Sequence, residues 1–213
     1  MKKVGMAYGL FLPLFFLLLL LVSGCHRGSR AEEFVMPDTV FLQTGDLVFR
    51  QGESRESRAV TTFDRSSGYT HVGMLLNVDG RWMVLHAVPN EHATKQEKDS
   101  VKLEPIGVFF RSDRAVKGGV YRYLVTPEDT LRLFQKGLDI YGRHLLFDSQ
   151  FDLEDTTAFY CTELVWFLYQ QALHIDLSEG RRHHLPLFPE LIFCSDILQN
   201  ARLEEVYLMK NVE

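Results

Sequence analysis

The chain has 213 residues, 46% of them apolar, which is enough for one substantial core in a single domain. Its formal charge is −5 and no basic stripe is visible, so nucleic acid is not an expected partner. No internal repeat, low-complexity tract or second linker interrupts it.

The N-terminus reads as a targeting segment and not as part of the fold. Lys2 and Lys3 form a positive start, and Leu10–Val22 is an almost pure Leu/Phe run broken once by Pro13. Leu21-Val22-Ser23-Gly24-Cys25 then resembles a bacterial lipobox, in which cleavage precedes a cysteine that carries the lipid. This divides the chain into a lipoprotein signal peptide (1–24), a lipidated Cys25 with a tether (25–37) and a domain (38–213). The expected location is the bacterial cell envelope, membrane-anchored on the periplasmic or surface side. A plain transmembrane anchor over Val4–Gly24 is the competing reading, since that run is uncharged. Removing residues 1–24 takes away Lys2 and Lys3 but no acid, which moves the net charge from −5 to −7.

After the polar stretch His26–Pro37, Leu47–Phe49 reads as a strand that follows a Gly45-Asp46 turn and ends at Gly52. Ser54–Phe63 fits a short helix capped by Ser54 or Ser57. The clearest pattern is Tyr69–Val88, two apolar runs flanking Asp79-Gly80, a pair that favours a two-residue hairpin loop. Such a loop pairs Val78 with Arg81 and sets Gly73 opposite His86. His71, Gly73, Leu75, Asn77, Trp82, Val84, His86 and Val88 then share one face. Val72, Met74, Leu76, Val78, Met83, Leu85 and Ala87 share the other, which is uniformly core-like. The two histidines become diagonal neighbours about 7 Å apart at the backbone, with Gly73 leaving room between them. An odd loop would separate them. Either histidine alone reads as a structural residue, whereas two on one face beside a glycine point to a site.

Asn90–Ser100 is charged and loop-like. Leu103–Phe110 and Gly119–Leu124 read as strands around a polar Arg111–Lys117 loop. Thr126-Pro127-Glu128-Asp129 starts a helix that runs to Tyr141 and stops at Gly142. Arg143–Ala158 reads as irregular. Ser178–Phe188 reads as a polar loop, in which His183-His184 is a solvated turn without metal-ligand spacing. Leu203–Leu208 is the last strand.

Phe159–Trp166 opens an apolar helix that reaches about Leu173, with cap candidates Asp155, Thr156 and Thr157. Leu164, Val165, Leu168 and Ala172 recur at helical spacing on its inward face. Cys161 falls in its first turn, where free N–H groups and the positive dipole end favour a thiolate and can hold a developing oxyanion. The competing reading of Cys161 is a small buried apolar residue. Cys194 sits in the apolar quartet Leu191-Ile192-Phe193-Cys194 and reads as core, although a Cys161–Cys194 disulfide stays open in an envelope compartment.

The matching pieces, taken together, are Gly45-Asp46-Leu47-Val48-Phe49, Ser54…Ser57-Arg58-Ala59 and Tyr69-Thr70-His71-Val72-Gly73-Met74. They continue through Trp82–Ala87, Val120-Tyr121-Arg122, Tyr141-Gly142, Phe147-Asp148 and Tyr160-Cys161-Thr162-Glu163-Leu164-Val165. In this order the chain resembles the permuted papain-like, NlpC-type cysteine amidases of the YaeF/YiiX group, in which the histidine strand precedes the cysteine helix. The resemblance implies an α+β fold, with an antiparallel sheet or partial barrel packed on the helix that carries the cysteine. It further implies Cys161 as nucleophile, His71 as general base and His86 as the polar orienting residue, where relatives often have an acid. Tyr160, Asp46 and Thr162 are candidates for lining the substrate or oxyanion site. No cofactor or metal is called for.

The expected reaction is hydrolysis of an amide through a thioester, with a peptide or amide substrate that includes peptidoglycan-derived peptides. The alternatives are acyltransferase or thioesterase chemistry on lipid esters, as in the lecithin:retinol acyltransferase type, and a zinc-binding or non-catalytic lipoprotein.

Overall fold

The computed structural model describes residues 31–52, 62–64, 66–91, 97–185 and 188–209. The leader, Cys25 and most of the expected Ser54–Phe63 helix lie outside the described residues. No helix among the described residues is long and apolar enough to cross a membrane.

Among the described residues, ten strands and four helices follow in order. They are β1 (Leu47–Gln51), β2 (His71–Val78), β3 (Arg81–Val88), β4 (Ser100–Pro105), α1 (Ile106–Phe109), β5 (Lys117–Tyr123), α2 (Pro127–Gly142) and β6 (Leu146–Phe147). Then come β7 (Ala158–Phe159), α3 (Cys161–Leu173), β8 (His183–Leu185), β9 (Phe188–Leu191), α4 (Cys194–Leu198) and β10 (Leu203–Met209). Eight strands form one sheet in the order β10-β5-β1-β2-β3-β4-β6-β7, antiparallel except at β6–β7, and β8–β9 form a separate ribbon. The fold is the α+β arrangement expected, an antiparallel-dominated curled sheet with the cysteine helix on one face.

The β2–β3 hairpin has the expected register. Val78 pairs with Arg81 and Met74 with Leu85, while Asp79 and Gly80 both take positive φ (51° and 77°). Two such residues match the twist of the flanking strands, which is why Asp-Gly works there. Val72, Met74, Leu76, Leu85 and Ala87 are buried in the larger core, against Leu164, Val165 and Leu168 of α3 and Leu133 and Ile140 of α2. The opposite face is buried too. Val48, Leu75 and Val84 meet Phe109, Phe110, Val120 and Met209 in a second core. That closure is what shields the histidines.

Several expected boundaries move. Leu103–Phe110 is not one strand: β4 ends at Pro105 and Ile106–Phe109 turns into α1, which puts Phe109 beneath the hairpin. Arg143–Ala158 carries two short bridging strands, β6 and β7. His183 is no solvated turn residue, because it stands in β8 with Nε2 2.9 Å from Asp196. Of the segment expected as a tether, residues 31–37 lie among the described residues. Phe34 N–H donates to Gly107 O (3.1 Å) and its ring packs edge-on to Phe110, so the apolar pair Phe34 and Met36 docks this segment on the second core. By contrast, α2 starts as expected, with Thr126 and Asp129 forming a reciprocal cap ahead of Pro127.

Candidate active site

Cys161 is the first residue of α3. Its N-cap is Tyr160 and not Asp155, Thr156 or Thr157, because Glu163 reaches back to accept the Tyr160 N–H (3.1 Å). Asp155 instead closes a local turn onto Thr157. Cys161 is half-buried as a residue and its thiol is unpaired. It lies within reach of the backbone N–H groups of Val72, Thr162 and its own residue. Val72 follows His71, so the sulfur sits against the peptide of the histidine strand.

His71 opens β2 and His86 lies near the end of β3. The expected diagonal contact is made, with His71 Nε2 2.8 Å from His86 Nδ1. Gly73 is required there, since a Cβ would come within 2.5 Å of Val84 and 3.0 Å of the His86 Cβ. Phe109 seals the pair, stacked on His71 at 5.6 Å and edge-on to His86 at 5.2 Å. With Nε2 of His71 committed to His86, Nδ1 is the nitrogen left for a thiol proton.

What lies behind His86 is not legible in the sequence. His86 Nε2 is 3.1 Å from Glu104 Oε1, although the N–H direction falls outside a well-aligned hydrogen bond, which leaves Nε2 buried without an aligned partner. Arg114 contacts both oxygens of Glu104 (3.0 and 2.8 Å) and lies 3.1 Å from Glu91. Glu91 also meets Arg50, whose guanidinium donates to Phe109 O (2.7 Å) and covers the Phe109 ring. In the β1–β2 register Arg50 is directly opposite His71. The long Pro89–Asp99 connection conceals the β3–β4 register, so no local signal tied Glu104 to His86.

Burial sets the resting protonation. It pushes the Cys161 thiol up, against the pull of the three N–H groups and of Arg50. It pushes His71 well down, helped by the charges of Arg50, His86 and Arg114, and His86 down despite Glu104. Burial would raise Glu104, but His86 and Arg114 outweigh it and bring the carboxyl to about 2. At rest the thiol and both imidazoles are therefore neutral, contrary to the thiolate expected from the helix end alone. Acyl transfer from this state requires proton abstraction as the nucleophile attacks.

The side chains of the three candidate lining residues are each held by partners within the protein. Tyr160 points its hydroxyl at the Ile192 N–H (3.0 Å), and Thr162 donates to Ile192 O (2.6 Å). Both are buried struts that lock the start of α3 to the Ile192 segment. Asp46 precedes β1 at the end away from Arg50 and His71, with its carboxylate gripped by Arg122 at 2.6 and 2.7 Å. Cys194 is also unpaired, 2% exposed, and pushed well up by burial. Two surface clefts of about 450 and 390 Å³ include none of Cys161, His71 and His86.

Among curated proteins the chain is 27% identical over 147 residues to uncharacterized protein YiiX of Escherichia coli strain K12, which covers 66% of this chain and 63% of that protein. The chain thus matches less than two thirds of that relative's length. Among solved structures it is similar to metalloprotein yiiX from Escherichia coli O157:H7, with TM-score 0.63 and 21% identity over 80% of this chain and 97% of that one. The word metalloprotein describes that protein. Among the described residues of this chain, no three His, Cys, Asp or Glu side chains converge as a ligand set. The profile described as permuted papain-like amidase enzyme, YaeF/YiiX, C92 family, matches residues 41–186, the span holding the histidine hairpin and the cysteine helix in permuted order, and the chain belongs to this family.

Proposed function

We propose that this protein is an envelope-anchored cysteine hydrolase that cleaves amide bonds, cell-wall peptides included, through a Cys161–His71–His86 triad. The observation that carries the reading is the 2.8 Å contact between His71 and His86, beside a thiol seated at a helix start against the Val72 peptide. His71 Nδ1 takes the thiol proton as sulfur attacks the carbonyl, then returns it to the leaving amine. Water resolves the thioester with His71 again as base. The N–H groups of Cys161 and Thr162, which lie near the sulfur, would hold the developing oxyanion. Cys25, acylated after cleavage of residues 1–24, would hold the domain at the membrane.

The test is turnover by the purified domain on muropeptides and simple acyl amides beside lipid esters, with capture of the acyl–Cys161 adduct by mass spectrometry. Amide turnover lost in Cys161→Ser is the expected result. Turnover of lipid esters alone would move the protein to the acyltransferase or thioesterase class. For the anchor, Cys25→Ser should abolish incorporation of labelled palmitate, and a mutant that still carries the label would end the lipoprotein reading.

A further inference from the structure

His71, His86 and Glu104 form a line across three strands. His86 pairs directly with Lys102 and Val84 with Glu104, so Glu104 is the diagonal neighbour of His86 on β4, as His71 is its diagonal neighbour on β2. The line ends in Arg114, which holds both Glu104 oxygens. We propose that Glu104 is a positioning residue, orienting a one-way donor chain in which His86 Nε2–H faces Glu104 and His71 Nε2–H donates to His86 Nδ1, so that His71 Nδ1 is the base for Cys161. The inference rests on the Cys161–His71 reading above.

The tautomers follow from elementary chemistry. An ionised carboxylate only accepts, so the His86 nitrogen 3.1 Å from it must carry a hydrogen. The opposite tautomer would set a lone pair against a carboxylate in a dry site, where an unmatched acceptor pair is most costly. A neutral His86 with hydrogen on Nε2 has only a lone pair on Nδ1, and His71 Nε2, 2.8 Å away, must then donate. Two contacts from Arg114 keep Glu104 ionised. When the Cys161 S–H bond breaks, the proton forms an N–H bond at His71 Nδ1. The resulting imidazolium is stabilised through His86 by the Glu104 charge. The charged groups facing the rings are Glu104 and Glu91, which favour that cation, and Arg50 and Arg114, which oppose it. The carboxylate therefore offsets two nearby guanidinium groups as well as fixing the protons.

The test is ¹⁵N-histidine NMR of the unmodified protein at neutral pH, with rings assigned through His86→Gln. Hydrogen on Nε2 of both His71 and His86 is expected. Hydrogen on Nδ1 of either neutral ring overturns the proposal, and this needs no altered Glu104. In Glu104→Gln the amide keeps the shape and loses the charge. The imidazolium midpoint of the His71–His86 pair, read from the same ¹⁵N signals, should fall by about one pH unit, the order expected for losing one charge at an effective dielectric of about 20. The rate of Cys161 alkylation by iodoacetamide at pH 7 should fall roughly tenfold. An unchanged pH profile in folded Glu104→Gln, even with a lowered Tm, would show a merely structural carboxylate. These measurements read proton position and thiol reactivity. A wild type with the expected tautomers and no amide turnover would sink the amidase reading alone, and turnover with the wrong tautomer would sink this one alone.

Discussion

His71 and His86, fifteen residues apart, meet nitrogen to nitrogen at 2.8 Å because a two-residue loop makes them diagonal partners on one sheet face. The contact gives the rings unequal jobs. His71→Ala should cost about as much as Cys161→Ser, roughly 10²- to 10⁴-fold in kcat/KM. His86→Ala removes only orientation and should cost less, and His86→Gln or His86→Glu should recover part of the loss, since either can accept from the His71 ring. Kinetics in which His86→Ala is the more damaging change would reverse the roles.

The two cysteines should differ sharply in reactivity. Both begin helices after an aromatic residue, and both thiols are pushed up by burial. Only Cys161 has partial exposure and three N–H groups near its sulfur, whereas Cys194 is sunk in the larger core. Peptide mapping after brief iodoacetamide treatment at neutral pH should find label on Cys161 and none on Cys194. Label appearing first on Cys194 would refute the assignment. Labelling of either only after reductant would reveal a disulfide.

Glu163 and the histidines set opposite edges of a stability window. Burial, with Asp148, Asp155 and Asp152 nearby, raises Glu163 to about 9 despite the Tyr160 N–H. The folded state keeps this proton when the unfolded chain releases it near 4.5, so stability falls as pH rises from there toward about 9. His71 and His86 are depressed below 6.5, so their contribution is complete above that value and is lost as pH falls beneath it. Glu163→Gln should mimic the folded protonation state, and its Tm advantage over wild type should grow between pH 5 and 9. A constant difference across that range would mean that Glu163 is ionised in the fold.

Asp46 should matter for folding and not for chemistry. It is 1% exposed and closes onto Arg122 and the Gln43 N–H. Asp46→Asn takes the carboxylate charge from the half-buried Arg122 guanidinium and should cost on the order of 2 kcal/mol by denaturant titration. Cys161 alkylation in the folded variant should match wild type. A large drop in thiol reactivity at unchanged stability would return Asp46 to the site.

The sequence by itself determined the features that arise from short-range rules. The Asp79-Gly80 pair dictated loop length, loop length dictated register, and register put His71 beside His86. Thr126, Pro127 and Asp129 announced α2, and the apolar period after Tyr160 announced α3 with Cys161 at its start. Only the tertiary structure decided the rest, because it depends on contacts between segments that no local rule relates. The long connection after β3 hid the register that aligns Glu104 with His86. Pro105 and the turn of α1 carried Phe109 under the histidines, and Arg50 came opposite His71 only through β1–β2 pairing. Local chemistry at a helix start favours a thiolate, but burial by surrounding elements outweighs it and leaves a neutral thiol at rest. For the same reason the Tyr160 and Thr162 hydroxyls, which motif position alone made candidate site groups, are taken up by Ile192, thirty residues further along the chain from Thr162.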